Sequence, residues 1–294
     1  AAGRASPDGE FAIDDENERV MRAEPPSVEV ARAQGRLILV AEDNEINQKV
    51  ILHQLALLGF AAEVADDGHE ALQRWRTGHH ALVLTDLHMP IMDGYALARA
   101  IREADGPGCH TPVLALTANA LRGEERRALD AGMDAYLTKP VQLEHLRATL
   151  QAHLPSAAEN EAPVLPQRDA GTAMAVDTRA TDTVFDVSVL EELVGDDAQI
   201  VREFLDEFRR SAADLGRELA EAHARGAIDE TGNAAHKLKS AARSVGALTL
   251  GELAAAIERA VRSDDIASLS ARVETLHTLL AETDEHIETW LGSR

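Results

Sequence analysis

The chain has 294 residues, room for two domains, and is 45% hydrophobic but only 3% aromatic, so its cores must be built from Leu, Val, Ile and Ala. A formal charge of -22 argues against a nucleic-acid-binding surface, which needs clustered Lys and Arg, and is compatible with divalent cations. The single Cys109 excludes an intramolecular disulfide and points to a reducing compartment, while no apolar run nears the length of a membrane span.

No signal-peptide pattern is visible, and a start on Ala1 instead of Met is expected of a piece of something longer. Residues 1–35 carry Pro25, Pro26 and acidic runs without a sustained period, and read as a tail or linker with room for one short helix. From Arg36 the pattern changes. Residues 37–41 form a short buried strand ending at Glu42, Asp43 and Asn44. The helix that follows has Ile46, Val50, Ile51, Leu55 and Leu58 on one inward face and stops at Gly59. A weaker strand at 62–65 turns at Asp67 and Gly68 into a helix with Leu72 and Trp75 inward.

A third strand, 81–84, is followed by Asp86 just past its end, and Pro90 and Gly94 set the next turn. Asp93 caps a helix to Ala104, and residues 112–116 are a fourth strand ending at Thr117. A helix over 121–131 closes at Gly132, a fifth strand at 135–137 ends at Thr138, Lys139 and Pro140, and a last helix spans 142–153. Strict alternation of strand and helix predicts a flavodoxin-like (βα)5 doubly wound parallel sheet, order 2-1-3-4-5, over residues 36–154.

Residues 155–183 are rich in Ala, Pro, Thr and acids without a helical stripe, and read as a flexible linker spanning on the order of 30 Å. Residues 184–294 read as all-α: a short helix capped by Asp186, a long one capped by Asp196 or Asp197 and closing at Gly226, then helices over 229–245, 248–262 and 266–291. Short connections between them make an antiparallel bundle.

The strand ends of the α/β half deliver Glu42, Asp43, Asp86, Thr117 and Lys139 to one sheet edge. Three crowded carboxylates need raised pKa values or a cation, and a hard oxygen-ligated ion such as Mg²⁺ fits. Lys139 and Thr117 suit a developing phosphoryl group better than a carbonyl substrate. In the helical half His236 differs from His223 and His277: Ser240 and Ala241 beside it are small, and Lys237, Lys239 and Arg243 make the segment locally basic. Gly232, one turn earlier, is unusual in a helix interior and costs about 1 kcal/mol relative to Ala.

With Glu42, Asp43, Asp86, the turn from Met89 to Gly94, Thr117, Ala118, Tyr136, Lys139 and Pro140, residues 36–154 resemble the response-regulator receiver family. The resemblance implies that Asp86 accepts a phosphoryl group from a phosphohistidine. It further implies that Glu42, Asp43, Asp86 and the main-chain carbonyl of His88 hold Mg²⁺. Lys139 and Thr117 would contact the phosphoryl oxygens, Tyr136 would be the switch aromatic, and the bond before Pro140 would be cis. The opening of this segment with Asn44 and Asn47 looks most like receivers fused to hybrid sensor kinases.

The second segment resembles the histidine phosphotransfer (HPt) signature at His236, Leu238, Lys239 and Gly246, which implies a second phosphoacceptor at His236 within an HPt-type helical bundle. Ser240 departs from the family's usual Gly; its hydroxyl is expected to bond a phosphoryl oxygen or slow access. There is no Walker A pattern and no Gly-rich lid for ATP, and residues 184–294 carry 22 acidic against 12 basic residues, which argues against DNA binding. The expectation is a bacterial, cytoplasmic phosphorelay piece from a hybrid sensor histidine kinase, with membrane anchoring of the parent left open. It would receive the group from an upstream kinase domain and relay it to a downstream response regulator, with no nucleic acid or membrane contact. Alternatives are a stand-alone receiver–HPt protein served in trans, and a regulatory module that docks without transfer.

Overall fold

The computed structural model describes residues 25–106, 108–118, 122–154 and 184–293. The predicted tail before residue 25 and the predicted linker at 155–183 lie outside these. The elements are α1 (Val28–Ala33), β1 (Leu37–Ala41), α2 (Glu45–Leu57), β2 (Ala62–Ala65), α3 (Gly68–Trp75), β3 (His80–Asp86), α4 (Gly94–Ala104), β4 (Val113–Thr117), α5 (Arg122–Asp130), β5 (Ala135–Thr138) and α6 (Leu143–His153). They are followed by α7 (Ser188–Val194), α8 (Ala198–Ala224), α9 (Ile228–Ser244), α10 (Leu248–Arg262) and α11 (Ile266–Ser293).

The strands pair in parallel in the order β2-β1-β3-β4-β5. Successive side chains of a strand point to opposite faces, and both faces here are covered by helices. Leu39, Ala41, Val83 and Ala115 pack with Leu72, Leu97 and Ile101 of α3 and α4 on one side. Ile38, Val40, Leu84 and Leu116 pack with Ile51, Leu55, Leu146 and Leu150 of α2 and α6 on the other. Asp67 and Asp93 cap α3 and α4 through side-chain oxygens that accept main-chain N–H groups.

Two sequence readings change. Strand β3 runs to Asp86, which pairs with Leu116 as its last residue instead of standing past its end. The predicted single face of α2 is in fact two: Ile51, Leu55 and Leu58 face the sheet, whereas Ile46 and Val50 are buried with Phe204, Phe208 and Leu190 of the helical half. A single-domain reading of an amphipathic stripe has no second core to assign them to.

In the helical half α8, α9, α10 and α11 pack in sequence and α11 returns to α8, closing a bundle. Asp197 caps α8, accepting from Gln199 and Ile200 N–H. Asp186 stands two residues ahead of α7 and accepts from the Ser188 N–H and hydroxyl. The unusual Gly232 has a packing reason, since a Cβ there would sit 3.0 Å from Val261 Cγ1 on α10. Gly246 closes the α9–α10 turn at φ 83° and approaches Asp186 so closely that a Cβ would lie 1.8 Å from that residue's carbonyl oxygen.

Gly246→Ala is therefore expected to destabilise the helical half by about 1–3 kcal/mol from the backbone conformation alone, with more from the displaced Asp186. Thermal or urea unfolding followed by circular dichroism measures it, and an unchanged midpoint would refute the close approach.

Candidate functional site

Parallel pairing of β1, β3, β4 and β5 brings their carboxyl ends to one edge. Glu42 and Asp43 follow β1, Asp86 and Thr117 end β3 and β4, and Lys139 follows β5. Carboxylate oxygens of Glu42, Asp43 and Asp86 lie within 4.8 Å of one another. Lys139 Nζ donates to Glu42 Oε2 and Asp86 Oδ2 at 2.5 Å each. Asp86 Oδ1 accepts the His88 N–H at 3.0 Å. Gly94 lets α4 begin against this strand end, because a Cβ there would lie 2.2 Å from the Asp86 carbonyl oxygen. The Lys139–Pro140 bond is cis.

The electrostatics follow from burial. Loss of water pushes Glu42 up to about 7, against the pull of Lys139 and with help from Asp86. Asp43 is also raised by burial, with Lys237 opposing. Burial acts the same way on Asp86, but Lys139, His236 and the hydrogen bonds from Lys139 and His88 outweigh it and hold Asp86 below its ordinary value. Lys139, though buried, is raised by the two carboxylates it bridges. Hard oxygen donors at this spacing fit a Mg²⁺-sized cation, and the sum of three acids against one lysine leaves charge for it to neutralise.

The helical half presents its histidine to this edge. Ring-nitrogen and carboxylate atoms of Asp86, His88 and His236 fall within 4.8 Å of one another, and the His88 and His236 rings are 5.3 Å apart at 55°. Lys237 Nζ reaches Asp43 Oδ2 at 3.2 Å, and its carbonyl accepts from Asn44 Nδ2. An open cleft of about 720 Å³, lined by His88, Met89, Asp93, His236 and Arg262 among others, leads in beside the pair.

Glu258, on α10, is a functional candidate that sequence reasoning missed. Its Oε1 lies 3.0 Å from His236 Nδ1, and its Oε2 accepts from Lys239 Nζ at 2.7 Å. Burial would raise this carboxyl, yet the hydrogen bonds from His236 and Lys239 bring it down to about 2. A carboxylate this firmly ionised at 3.0 Å favours the proton on Nδ1, against Lys239 Nζ at 3.3 Å from the same nitrogen, and that tautomer leaves the Nε2 lone pair for chemistry. Glu258 sits 22 residues beyond His236 on another helix, so no local motif announces it.

The remaining predicted residues are placed as follows. The buried Thr117 hydroxyl donates to Glu124 Oε2 at 2.8 Å. Tyr136 is half-buried against the α3–α4 core, its phenol raised by burial and by the Glu125 carboxylate. Arg243 pairs with Glu252 of α10 at 2.8 Å. The Ser240 hydroxyl accepts from Asn47 Nδ2 at 2.8 Å, so its partner is the α/β half and not the space a phosphoryl group would enter.

Comparison with known proteins separates the same two parts. Residues 38–151 match the response regulator receiver domain and residues 199–286 the Hpt domain. The Sensor histidine kinase RcsC of Escherichia coli is 43% identical over 114 residues, 39% of this chain and 12% of that protein. The Virulence sensor protein BvgS of Bordetella pertussis is 30% identical over 289 residues, 94% of this chain and 23% of that protein. The chain thus spans less than a quarter of either relative. Among solved structures, the receiver domain of a sensor histidine kinase from Pseudomonas aeruginosa PAO1, with magnesium coordinated in its active site cleft, is 39% identical. The match covers 40% of this chain and 97% of that one, with a TM-score of 0.38. Among the described residues no helix is long and apolar enough to cross a membrane.

The tautomer set by Glu258 can be measured directly. Neutral His236 is expected to carry its proton on Nδ1 in the native chain and to shift towards the Nε2–H form in Glu258→Gln. Nitrogen-15 NMR of the imidazole reads both, and a native ring protonated on Nε2 would remove Glu258 from this role.

Proposed function

We propose that this phosphorelay chain, a response regulator receiver domain followed by an Hpt domain in a hybrid-kinase-like architecture, passes a phosphoryl group between Asp86 and His236 within one molecule. The observation that carries the proposal is the approach of the Asp86 carboxylate and a His236 ring nitrogen to within 4.8 Å, a gap that a phosphoryl group held in line between them would fill.

Asp86, ionised beside Lys139, attacks the phosphorus of a phosphohistidine on an upstream kinase domain; the P–O bond to Asp86 forms as the P–N bond breaks, the kinase imidazole leaves, and Asp86 becomes an acyl phosphate. His236 Nε2 then attacks that phosphorus from the far side. The P–N bond forms as the P–O bond to Asp86 breaks, and Asp86 leaves as a carboxylate ready to pair again with Lys139. The ring keeps its Nδ1 proton and becomes cationic; Glu258, 3.0 Å away, balances that charge without taking the proton. Lys139 and, on turning from Glu124, Thr117 are the groups for the phosphoryl oxygens, with Tyr136 following Thr117 as the switch aromatic.

Glu42, Asp43, Asp86 and the main-chain carbonyl of His88 are the residues that would hold Mg²⁺, whose contribution when bound is to neutralise phosphoryl charge. Lys237 and Lys239 supply positive charge on the Hpt side. The upstream donor is a kinase domain of the same parent protein, the downstream acceptor a separate response regulator, and the setting cytoplasmic.

With radiolabelled acetyl phosphate and Mg²⁺ the chain is expected to show two labelled pools. One is alkali-labile and lost in Asp86→Asn; the other is alkali-stable, acid-labile and lost in His236→Gln. Since label reaches His236 through Asp86, Asp86→Asn should empty both, and a metal chelator should lower both by at least about tenfold. Label confined to Asp86 in the native chain would leave a docking module without transfer.

A further inference from the structure

The polar contacts between the two halves are of unequal kind. Gln54 and His53 of α2 reach the Leu193 and Val194 carbonyls, which are main-chain groups that any sequence at that turn offers. Lys49 pairs with Glu207 at 3.0 Å, but its side chain is half exposed, so the pair is screened and weak. Asn47 is different. It is buried, and its carboxamide is used in both senses: Nδ2 donates to Glu42 Oε1 at 3.0 Å and to Ser240 Oγ at 2.8 Å, while Oδ1 accepts from Ser244 Oγ at 3.0 Å. Ser240 and Ser244 are themselves buried, one and two turns beyond His236 on α9.

We propose that Asn47, Ser240 and Ser244 form a specificity key by which the Hpt face selects receivers presenting a carboxamide at this point of the α2 helix, this chain's own receiver first. The inference rests on the relay reading above. Three features support it. The side chain that touches Glu42 in the acidic site also touches the helix turn after His236, so the contact sets the register in which His236 meets Asp86. A receiver with an apolar side chain there would bury Ser240 without its donor, and one with Asp would set a carboxylate oxygen against Glu42 Oε1 where the Asn47 amide now donates; both are penalties against the wrong partner. Gly at position 240 would offer the Asn47 amide no acceptor, whereas the Ser hydroxyl does.

The test uses the full chain in a mutant cycle: native, Asn47→Ala, Ser240→Gly/Ser244→Ala, and all three together. Each is labelled with acetyl phosphate and Mg²⁺, the donor is removed, and the passage of label from Asp86 to His236 is timed. Asn47→Ala is expected to slow transfer about tenfold. The serine pair should slow it to a similar degree while Asp86 accepts label as in the native chain. The triple variant should be no slower than Asn47→Ala, because the contact is already gone. Asn47→Asp, of equal size, should be at least as slow as Asn47→Ala, which distinguishes hydrogen bonding from packing. Effects that multiply in the triple variant, or native-rate transfer in Asn47→Asp, would overturn the key while leaving the relay intact. A native chain that labels Asp86 but never His236 would overturn the relay reading and the key with it.

Discussion

Glu42, Asp43 and Asp86 sit within 4.8 Å of one another at a sheet edge largely shut off from water. Like charges at that separation in a low dielectric cannot all stay ionised unless cations share the site. Here the cations come from both halves of the molecule. Lys139 bridges Glu42 and Asp86 from the end of β5, and Lys237 reaches Asp43 from the Hpt helix. The acidic pocket is thus also an attraction for the basic turn around His236, in a chain whose formal charge of -22 otherwise sets its parts against each other.

Helix α2 turns that attraction into a fixed geometry. One of its faces belongs to the sheet, through Ile51 and Leu55; the other, through Ile46 and Val50, is buried in the same apolar cluster as Phe204 and Phe208. Between the two faces lie Asn47 and Gln54, whose amides find partners on both sides. Apolar burial supplies non-directional adhesion, and the amides fix rotation and register, because a buried amide out of register loses its partners.

Much of the receiver could be read from the sequence because its chemistry is placed by strand ends. An apolar run stopped by a polar residue locates Glu42, Asp86, Thr117 and Lys139 without knowledge of any distant contact, and parallel topology then brings them together. His236 stands apart in the sequence by its small and basic neighbours and by its resemblance to the HPt signature, and the fold sets it beside Asp86. What escaped depends on contacts far apart in the chain. Asn47 and Ser240 are 193 residues apart, and Glu258 reaches His236 from a different helix. Even the stripe on α2 was misassigned to one face, since periodicity reports that residues are buried but not against what. Ser240, read as a group near the phosphoryl path, is held by Asn47 for the same reason.

Docking has a consequence for how such a chain can work. In the docked arrangement His236 is nearly covered, its side chain 12% exposed, so one imidazole cannot face its own receiver and a second receiver at once. A second receiver can meet this imidazole only after the first has left. Covalent linkage supplies a high effective concentration, on the order of mM, so the internal contact needs little affinity of its own to form. The interface fits that requirement: a small apolar patch, main-chain acceptors, the ion pairs Lys49–Glu207 and Lys237–Asp43, and the buried amides of Asn44, Asn47 and Gln54. A larger apolar surface would tighten the dock and slow its opening. Specificity vested in a few buried hydrogen bonds discriminates among partners while leaving the contact weak enough to open.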